Sequence, residues 1–173
     1  MGGLIRGSLS EELRVEVRGP EATRLAAQGY GELEGDRLLL WPEEALYLLE
    51  KGKMEVEGGG ARLGFREYLA LITRDKPIVW PRYIIYRDLR ESGRVVRKGV
   101  GETLLYRLYE TSGQETSKYL VFPLSEGESV EVSRLLDAAR QSADKGKVLV
   151  LAVVERRGEV VYYVCSETSP SNV

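Results

Sequence analysis

An uninterrupted apolar run near the end of the chain, VLVLAVV at residues 148–154, constrains the possible fold more than any other stretch. A run of this length between polar flanks is typical of a strand that is covered on both faces of a sheet. The next five residues, ERRGE, predict a tight turn, and VVYYVCS predicts a returning strand. Because no further strand follows in the sequence, we expect this returning strand to form one edge of the sheet.

The stretch before this run predicts the rest of a sheet flanked by helices. PRYIIYRDLRESG predicts a helix that ends at Gly93, and SRLLDAARQSADKG predicts a helix with Ser133 as N-cap and Gly146 just past its end. RVVRKG predicts a strand, and YRLYETSGQETSKYLVF at residues 106–122 predicts two strands joined by a polar loop. We therefore expect residues 81–173 to form a mixed sheet of four or five strands with flanking helices.

The first 80 residues predict a smaller α/β domain. LRVEVRG and DRLLLW predict strands, with a turn-rich stretch between them. WPEEALYLLEKGK predicts a helix, because Pro42 suits its first position and Gly52 lies past its end, and GFREYLALITRD predicts another. The GGG at 58–60 predicts a turn, and PIVWP, with a proline at each end, predicts an extended connector. The expected fold class is therefore α+β, with domains at residues 1–80 and 81–173.

The composition excludes several classes of protein. The 173 residues contain no apolar run of membrane-spanning length and no apolar signal core at the start, so we expect neither a membrane span nor export. The single cysteine, Cys165, can form no internal disulfide and favours a reducing compartment, which predicts a cytoplasmic protein. The net charge of −2 gives no general attraction to nucleic acid. One asparagine and 30% charged residues are typical of proteins from hyperthermophiles.

Four stretches, in this order along the chain, resemble the archaeal tRNA-splicing endonuclease family: LLLWPEEALYLLEKGKMEV, YIIYRDLRESGRVV, TSKYLVF and KVLVLAVVERRGEVVYY. Each stretch alone would suit an ordinary helix or core strand, whereas the ordered set, which covers roughly residues 36 to 165, is specific. The resemblance implies a small N-terminal α/β domain followed by a C-terminal nuclease-like mixed sheet flanked by helices. It also implies an activity that removes introns from precursor tRNA at bulge-helix-bulge junctions.

The resemblance further implies a cleavage that needs no metal or other cofactor and leaves a 2′,3′-cyclic phosphate and a 5′-hydroxyl. In that chemistry a tyrosine acts on the attacking 2′-hydroxyl, a histidine protonates the leaving oxygen, and a lysine stabilises the charge on the phosphorane. Tyr109 matches the tyrosine, and Lys147 matches the lysine better than Lys145 does. The family's histidine begins a His-Ser-x-Tyr-Leu-Val stretch, and Thr116 stands at that position in TSKYLV.

The chain contains no histidine at any position, so no other histidine can take the place of the one that Thr116 replaces. A threonine hydroxyl donates a hydrogen bond but does not release its proton near neutral pH. Only six residues separate Tyr109 from Thr116, and GVGETLLYRLY lacks the glycine- and aspartate-containing lead-in of the family's catalytic strand. We therefore expect a structural, non-catalytic subunit that works beside a homologous catalytic subunit in an (αβ)₂ heterotetramer.

The resemblance also implies which residues meet the partner and the RNA. Unlike subunits of the family pair through their last strands, which here comprise Val160, Val161, Tyr162, Tyr163 and Val164, up to Cys165. A loop between the final two strands docks into a partner, and here it comprises Glu155, Arg156, Arg157, Gly158 and Glu159. Its two arginines differ from the acidic loop usual in the family. Arg140 matches an arginine that stacks on a bulged base, and Lys147 is a second candidate RNA contact, although both would also suit solvated surface positions.

Other interpretations of the same residues stay open at this point. Tyr109 would also suit a packed strand position, and the acids of SEGESVEVS, which are Glu126, Glu128 and Glu131, suit solvated positions better than metal ligands because nothing fixes their geometry. A second hypothesis is a stand-alone ribonuclease that uses Tyr109 and Lys147 with a water molecule as acid. A third is an RNA-binding module that retains only the fold and whose binding depends strongly on salt.

Overall fold

The computed structural model describes residues 3–101 and 103–166, and the chain divides between Arg87 and Asp88 into two compact units. Each unit has its own mixed sheet with packed helices, which confirms the α+β fold class. Within the described residues, no helix is both long and apolar enough to cross a membrane.

The first unit contains a six-stranded mixed sheet. Its elements are β1 (Ile5–Leu9), β2 (Val15–Arg18), α1 (Pro20–Ala27), β3 (Glu32–Glu34), β4 (Arg37–Leu40), α2 (Pro42–Glu50), β5 (Met54–Gly58), β6 (Ala61–Leu63) and α3 (Phe65–Asp75). The strand order is β3, β4, β2, β1, β5, β6, with β1 and β5 parallel and all other neighbours antiparallel. The predicted strands LRVEVRG and DRLLLW are confirmed as β2 and β4, which pair directly.

The predicted helix over WPEEALYLLEKGK is confirmed as α2. Pro42 occupies its first position, and the Glu44 carboxylate accepts a hydrogen bond from the Trp41 backbone amide at 2.8 Å, which satisfies a donor at the helix start. Gly52 has a φ of 64° just past the helix end, a conformation that glycine adopts without steric cost. The helix buries an apolar face that includes Leu46.

Five elements of the first unit were not expected, namely β1, α1, β3, β5 and β6. The stretch predicted as turn-rich contains α1, which begins at Pro20, where a helix tolerates a residue without an amide hydrogen. Only Ala22 and Leu25 of α1 are buried, so the helical pattern of apolar residues covers too few positions to be recognised in the sequence. The central strand β1 is five residues long, and its place between β2 and β5 depends on pairing with distant residues.

The second unit contains a five-stranded mixed sheet, as expected. Its helices and strands are α4 (Val79–Glu91, which begins in the first unit), β7 (Val95–Val100), β8 (Leu104–Tyr109), β9 (Tyr119–Ser125), α5 (Val132–Asp144), β10 (Val148–Val154) and β11 (Val160–Cys165). The strand order is β11, β10, β9, β8, β7, and β9 and β10 are the parallel pair. The expected edge position of the last strand is therefore confirmed.

The core of the second unit forms where α5 packs on β9 and β10. Leu120 and Phe122 of β9, Ala138 of α5 and Leu149 of β10 are buried in one cluster. β10 lies between β9 and β11 and buries most of its residues, which confirms the prediction that the apolar run at residues 148–154 is a covered strand. This core fixes the position of the strand ends on which the candidate site lies.

Two predicted helix boundaries are wrong. The expected extended connector PIVWP contains the start of α4 at Val79, with Pro81 in the first turn, where the missing amide hydrogen would have no partner within the helix. The N-cap of α5 is Glu131 instead of Ser133. The Ser133 hydroxyl lies 3.4 Å from the Glu131 carboxylate and does not cap the helix. Gly146 follows the end of α5 as predicted, with a φ of 62°.

Candidate functional site

The sheet of the second unit brings three predicted positions to one end. β8 runs antiparallel to β9, and β9 runs parallel to β10, so the end of β8 lies beside the beginnings of β9 and β10. Tyr119 of β9 faces both Leu108 of β8 and Val148 of β10. Leu108, Tyr119 and Val148 thus lie side by side on three neighbouring strands. Tyr109 comes directly after Leu108 and Lys147 directly before Val148, and the loop that carries Thr116 ends just before Tyr119.

Lys147 is hydrogen-bonded to the segment that carries Thr116. Its Nζ atom donates a hydrogen bond to the backbone carbonyl of Ser117 at 2.6 Å, and the next amide, of Val148, donates to the Lys118 carbonyl at 3.0 Å. Lys145, in contrast, is the exposed C-cap residue of α5. Of the two candidate lysines, Lys147 is the one that contacts the segment containing Thr116.

Tyr109 and Thr116 lie in opposite environments. Tyr109 is only 8% exposed, and the guanidinium carbon of Arg97 lies 5.5 Å from the centre of its ring, within the range of a cation–π interaction. Thr116 is exposed, on a loop in which the Glu110 amide donates to the side-chain oxygen of Gln114 at 2.8 Å. The tyrosine is thus a packed strand residue, whereas the threonine faces solvent.

The structure adds Ser117, which the sequence interpretation passed over. Ser117 is 6% exposed, and its Oγ atom has no hydrogen-bond partner within the described residues. Buried hydroxyl groups are normally hydrogen-bonded, so an exception of this kind is a candidate for contact with water or a ligand. The only signal in the sequence is its place after Thr116 in TSKYLV, at the serine of the family stretch.

The chemistry available at this end of the sheet is limited. A lysine ammonium and hydroxyl groups can hold an anion through hydrogen bonds. None of the side chains of Tyr109, Thr116, Ser117 and Lys147 is an imidazole, the group that serves most often as a general acid in enzymes. The arrangement therefore suits binding of a phosphate group better than acid–base catalysis.

Arg140 lies apart from these residues, on the exposed surface of α5. Its side chain has no hydrogen bond, ion pair or ring contact with any residue in the described part of the chain. It is four residues from the end of α5, which leads into β10 through Gly146. The structure thus leaves its guanidinium free to meet solvent or a ligand.

The turn over residues 155–159 is anchored to a neighbouring loop. The Glu155 amide donates to the Glu159 carbonyl at 2.8 Å, which closes the turn. The Glu126 carboxylate accepts a hydrogen bond from the Arg156 amide at 2.8 Å and lies 3.6 Å from the Arg156 Nε atom. Arg157 is exposed. Arg156 therefore has Glu126 as an ion-pair partner within the chain, whereas the side chain of Arg157 lies in solvent.

Among the described residues, the edge strand β11 has one strand neighbour, β10. Two of its neighbouring side chains are exposed, one on each face of the sheet: Tyr163 is 55% exposed and Val164 is 69% exposed. The Tyr162 hydroxyl donates to Asp88 at 2.7 Å, and burial, this hydrogen bond and the charge of Asp88 all raise the pKa of Tyr162. An edge with open backbone groups and exposed apolar side chains is suited to pairing with another strand.

The acids of the loop before α5 serve local structure. Glu126 anchors Arg156, Glu128 accepts a hydrogen bond from the Ser125 amide at 3.0 Å, and Glu131 accepts one from the Ser133 hydroxyl at 3.4 Å. Across residues 3–101 and 103–166, no three His, Cys, Asp or Glu side chains come together as a possible metal site. The acidic loop is therefore explained without a ligand.

Comparison with known proteins agrees with this arrangement. Residues 5–69 match the family profile of the tRNA intron endonuclease N-terminal domain, and residues 79–162 match that of the tRNA intron endonuclease catalytic C-terminal domain. The chain is 38% identical to the tRNA-splicing endonuclease of Pyrococcus furiosus over 136 residues, which cover 79% of each protein. It is 28% identical to that of Methanothermobacter thermautotrophicus over 170 residues, which cover 96% of this chain and 99% of the relative. Since both halves match in the family's order, the chain belongs to the tRNA intron endonuclease family.

Proposed function

We propose that this chain is the structural, non-catalytic subunit of an archaeal tRNA-splicing endonuclease, and that a homologous subunit performs the cleavage. One observation carries the proposal: Thr116 stands at the position of the family's histidine in a chain without any histidine. The leaving 5′-oxygen of an RNA needs a proton as the bond to phosphorus breaks. A threonine hydroxyl does not supply one at neutral pH, and Lys147 is held by the Ser117 carbonyl.

The catalytic partner would contribute a complete tyrosine, histidine and lysine set. It would cut precursor tRNA at bulge-helix-bulge junctions and leave 2′,3′-cyclic phosphate and 5′-hydroxyl ends, with no metal or cofactor. The present chain would bind RNA through Arg140, which is exposed on α5, and through Lys147, which lies beside the Thr116 loop. Its single cysteine is consistent with a complex that works in the reducing cytoplasm.

Assembly would use the edge strand and the anchored turn. Exposed Tyr163 and Val164 and the open backbone of β11 would pair with the last strand of the catalytic subunit. The turn of residues 155–159, held by Glu126, would dock into a partner across the assembly. Two such pairs would form the (αβ)₂ heterotetramer.

The experiment compares the chain alone with the chain mixed with a homologous subunit that contains the histidine. The substrate is an end-labelled bulge-helix-bulge RNA. We expect no cleavage by the chain alone and cleavage by the mixture, because the partner supplies the acid. Cleavage by a preparation from which every co-purifying subunit has been removed would overturn the proposal.

Two variants show which subunit performs the reaction. Replacement of the partner's catalytic histidine by alanine should abolish cleavage by the complex. The double change Tyr109→Phe and Lys147→Met in the present chain should leave the rate of bond cleavage within about twofold at saturating enzyme, because its residues make no transition-state contact. A loss of several orders of magnitude would favour the stand-alone ribonuclease instead.

A further inference from the structure

Two arginines face each other across the β7–β8 pair. The register places Arg97 directly opposite Arg107, so their Cβ atoms lie about 5 Å apart on one face of the sheet. Arg107 donates its Nε hydrogen to the Lys98 carbonyl at 2.8 Å, and Arg97 lies over the Tyr109 ring. Neither arginine has a carboxylate partner among the residues that the structure describes. Like charges directly opposite each other destabilise a sheet, and a bound anion would relieve this repulsion.

Two lysines just before the next two strands extend this arginine pair toward the opposite edge of the sheet. Lys118 immediately precedes β9 and Lys147 immediately precedes β10, and the first residues of these two strands pair. The cationic row, defined as Arg97, Arg107, Lys118 and Lys147, thus has one cationic residue at each of four neighbouring strands. Adjacent strands are about 4.8 Å apart, so the row extends roughly 14 Å.

Beside the row, within the part of the chain that the structure describes, lies a buried polar atom without a hydrogen-bond partner. The Oγ atom of Ser117 is buried, and the carbonyl of the same residue accepts the hydrogen bond from Lys147. Tyr109, beneath Arg97, fixes the direction of one guanidinium group. Arginine side chains present a planar fork of donors that matches phosphate oxygens.

We propose that the cationic row binds the phosphate backbone of an RNA and holds it without cutting it. This inference rests on the proposed function for its ligand, a precursor tRNA, and gives the inactive centre a role in the complex. A phosphodiester chain carries one negative charge on every residue, which matches one cation on every strand. An acidic peptide fits less well, because successive side chains of an extended peptide point to opposite sides.

The test measures RNA binding by the full chain with Arg97→Gln and Arg107→Gln combined. Fluorescence anisotropy of a labelled bulge-helix-bulge RNA is recorded over a series of salt concentrations. We expect a loss of affinity of about tenfold at low salt and a salt slope smaller by about 1.4, since each lost phosphate contact removes about 0.7 on a single strand. The matched control combines Arg66→Gln and Arg74→Gln, two exposed arginines of α3, and should bind RNA as the unchanged chain does.

The folding of the variant separates a binding role from a structural one. Removal of the two opposed charges relieves their repulsion but also loses the hydrogen bond to the Lys98 carbonyl and the contact with Tyr109, so thermal unfolding must show that the variant is folded at the temperature of the binding measurement. Unchanged RNA affinity and salt slope in the folded variant would overturn the proposal. So would a variant that loses binding to poly-glutamate but keeps its affinity for RNA, which would indicate an acidic protein as the ligand.

The proposal and the proposed function fail in different experiments. Cleavage by the chain alone would contradict the non-catalytic role and leave the binding measurement intact. Unchanged RNA binding by the Arg97 and Arg107 variant would contradict the cationic row, whether or not the mixed subunits cleave RNA.

Discussion

The hydroxyl of Tyr162 donates a hydrogen bond to a carboxylate oxygen of Asp88 at 2.7 Å and thereby ties the edge strand β11 to the last part of α4. Burial is the largest cause of the raised pKa of Tyr162, followed by the hydrogen bond to Asp88 and its charge. The next residue, Tyr163, points away from this contact and is exposed. Tyr162 therefore anchors the strand within the unit, and Tyr163 is available for contact with a partner.

The first prediction concerns stability at alkaline pH. Because the folded chain keeps the Tyr162 phenol protonated while the unfolded chain releases its proton near pH 10, this contribution to stability is fully present below about pH 10 and is lost as the pH rises further. Tyr162→Phe should lower the free energy of unfolding by about 1 kcal/mol at pH 7 and make its decline above pH 10 shallower. Urea unfolding, followed by circular dichroism at pH 7 and at a series of pH values above 10, measures the free energy of unfolding. Tyr163→Phe is the control and should change neither value.

A second prediction concerns the edge strand as an interface. Val161→Pro removes a backbone donor from β11, and Tyr163→Lys places a charge in an apolar contact, at a cost on the order of a few kcal/mol. Each change should dissociate the complex with the catalytic subunit and abolish cleavage, as measured by light scattering and an RNA assay. Leu33→Lys, an exposed leucine on edge strand β3 of the other sheet, should leave both intact. A heterotetramer that survives Tyr163→Lys with full cleavage would show that β11 is not the interface.

The third prediction concerns the missing acid. Thr116→His should give the isolated chain at most feeble cleavage, because the six-residue loop must also place the imidazole within hydrogen-bond reach of the leaving oxygen. Product formation is measured over a pH series on a bulge-helix-bulge RNA. Thr111→His puts the same group elsewhere in the loop and should be inactive. A rate close to that of the natural complex would mean that the loop is already suitable for catalysis.

A fourth prediction assigns Glu126 the task of positioning the turn at residues 155–159. Glu126→Gln weakens the charge-assisted bonds to Arg156, so the turn should lose its fixed conformation and the affinity for the partner should fall by about threefold to tenfold. Sedimentation of the mixed subunits measures that affinity. Glu128→Gln changes a neighbouring carboxylate that bonds the Ser125 amide and should assemble normally. Equal behaviour of the two variants would remove the positioning role.

The fifth prediction tests the strand that carries Arg97. A methyl group at Gly99 would lie 1.7 Å from the carbonyl oxygen of Leu104, so Gly99→Ala must displace the β7–β8 backbone and should cost roughly 1–3 kcal/mol or more. Gly113→Ala is the matched control, since a methyl group there meets no atom within 4 Å. Thermal unfolding of both variants gives the comparison. Equal unfolding temperatures would show that β7 can shift freely.

Local signals in the sequence determined much of the fold. Pro42 at the start and Gly52 past the end delimit α2, and the run at residues 148–154 marks β10, because caps and apolar runs act on neighbouring residues. The last strand and its turn were predictable for the same reason. The candidate positions Tyr109, Thr116 and Lys147 also follow from the sequence, through the family resemblance.

The tertiary structure decided what depends on pairing between distant residues. Whether Pro81 lies in a helix or in an extended segment, and whether Glu131 or Ser133 is the N-cap residue of α5, depended on how the surrounding chain packs. The contact of Lys147 with Ser117 joins residues 30 positions apart, and the opposition of Arg97 and Arg107 depends on strand register. Register is set by the complete pattern of burial on both faces of a sheet, so no short stretch of sequence contains it.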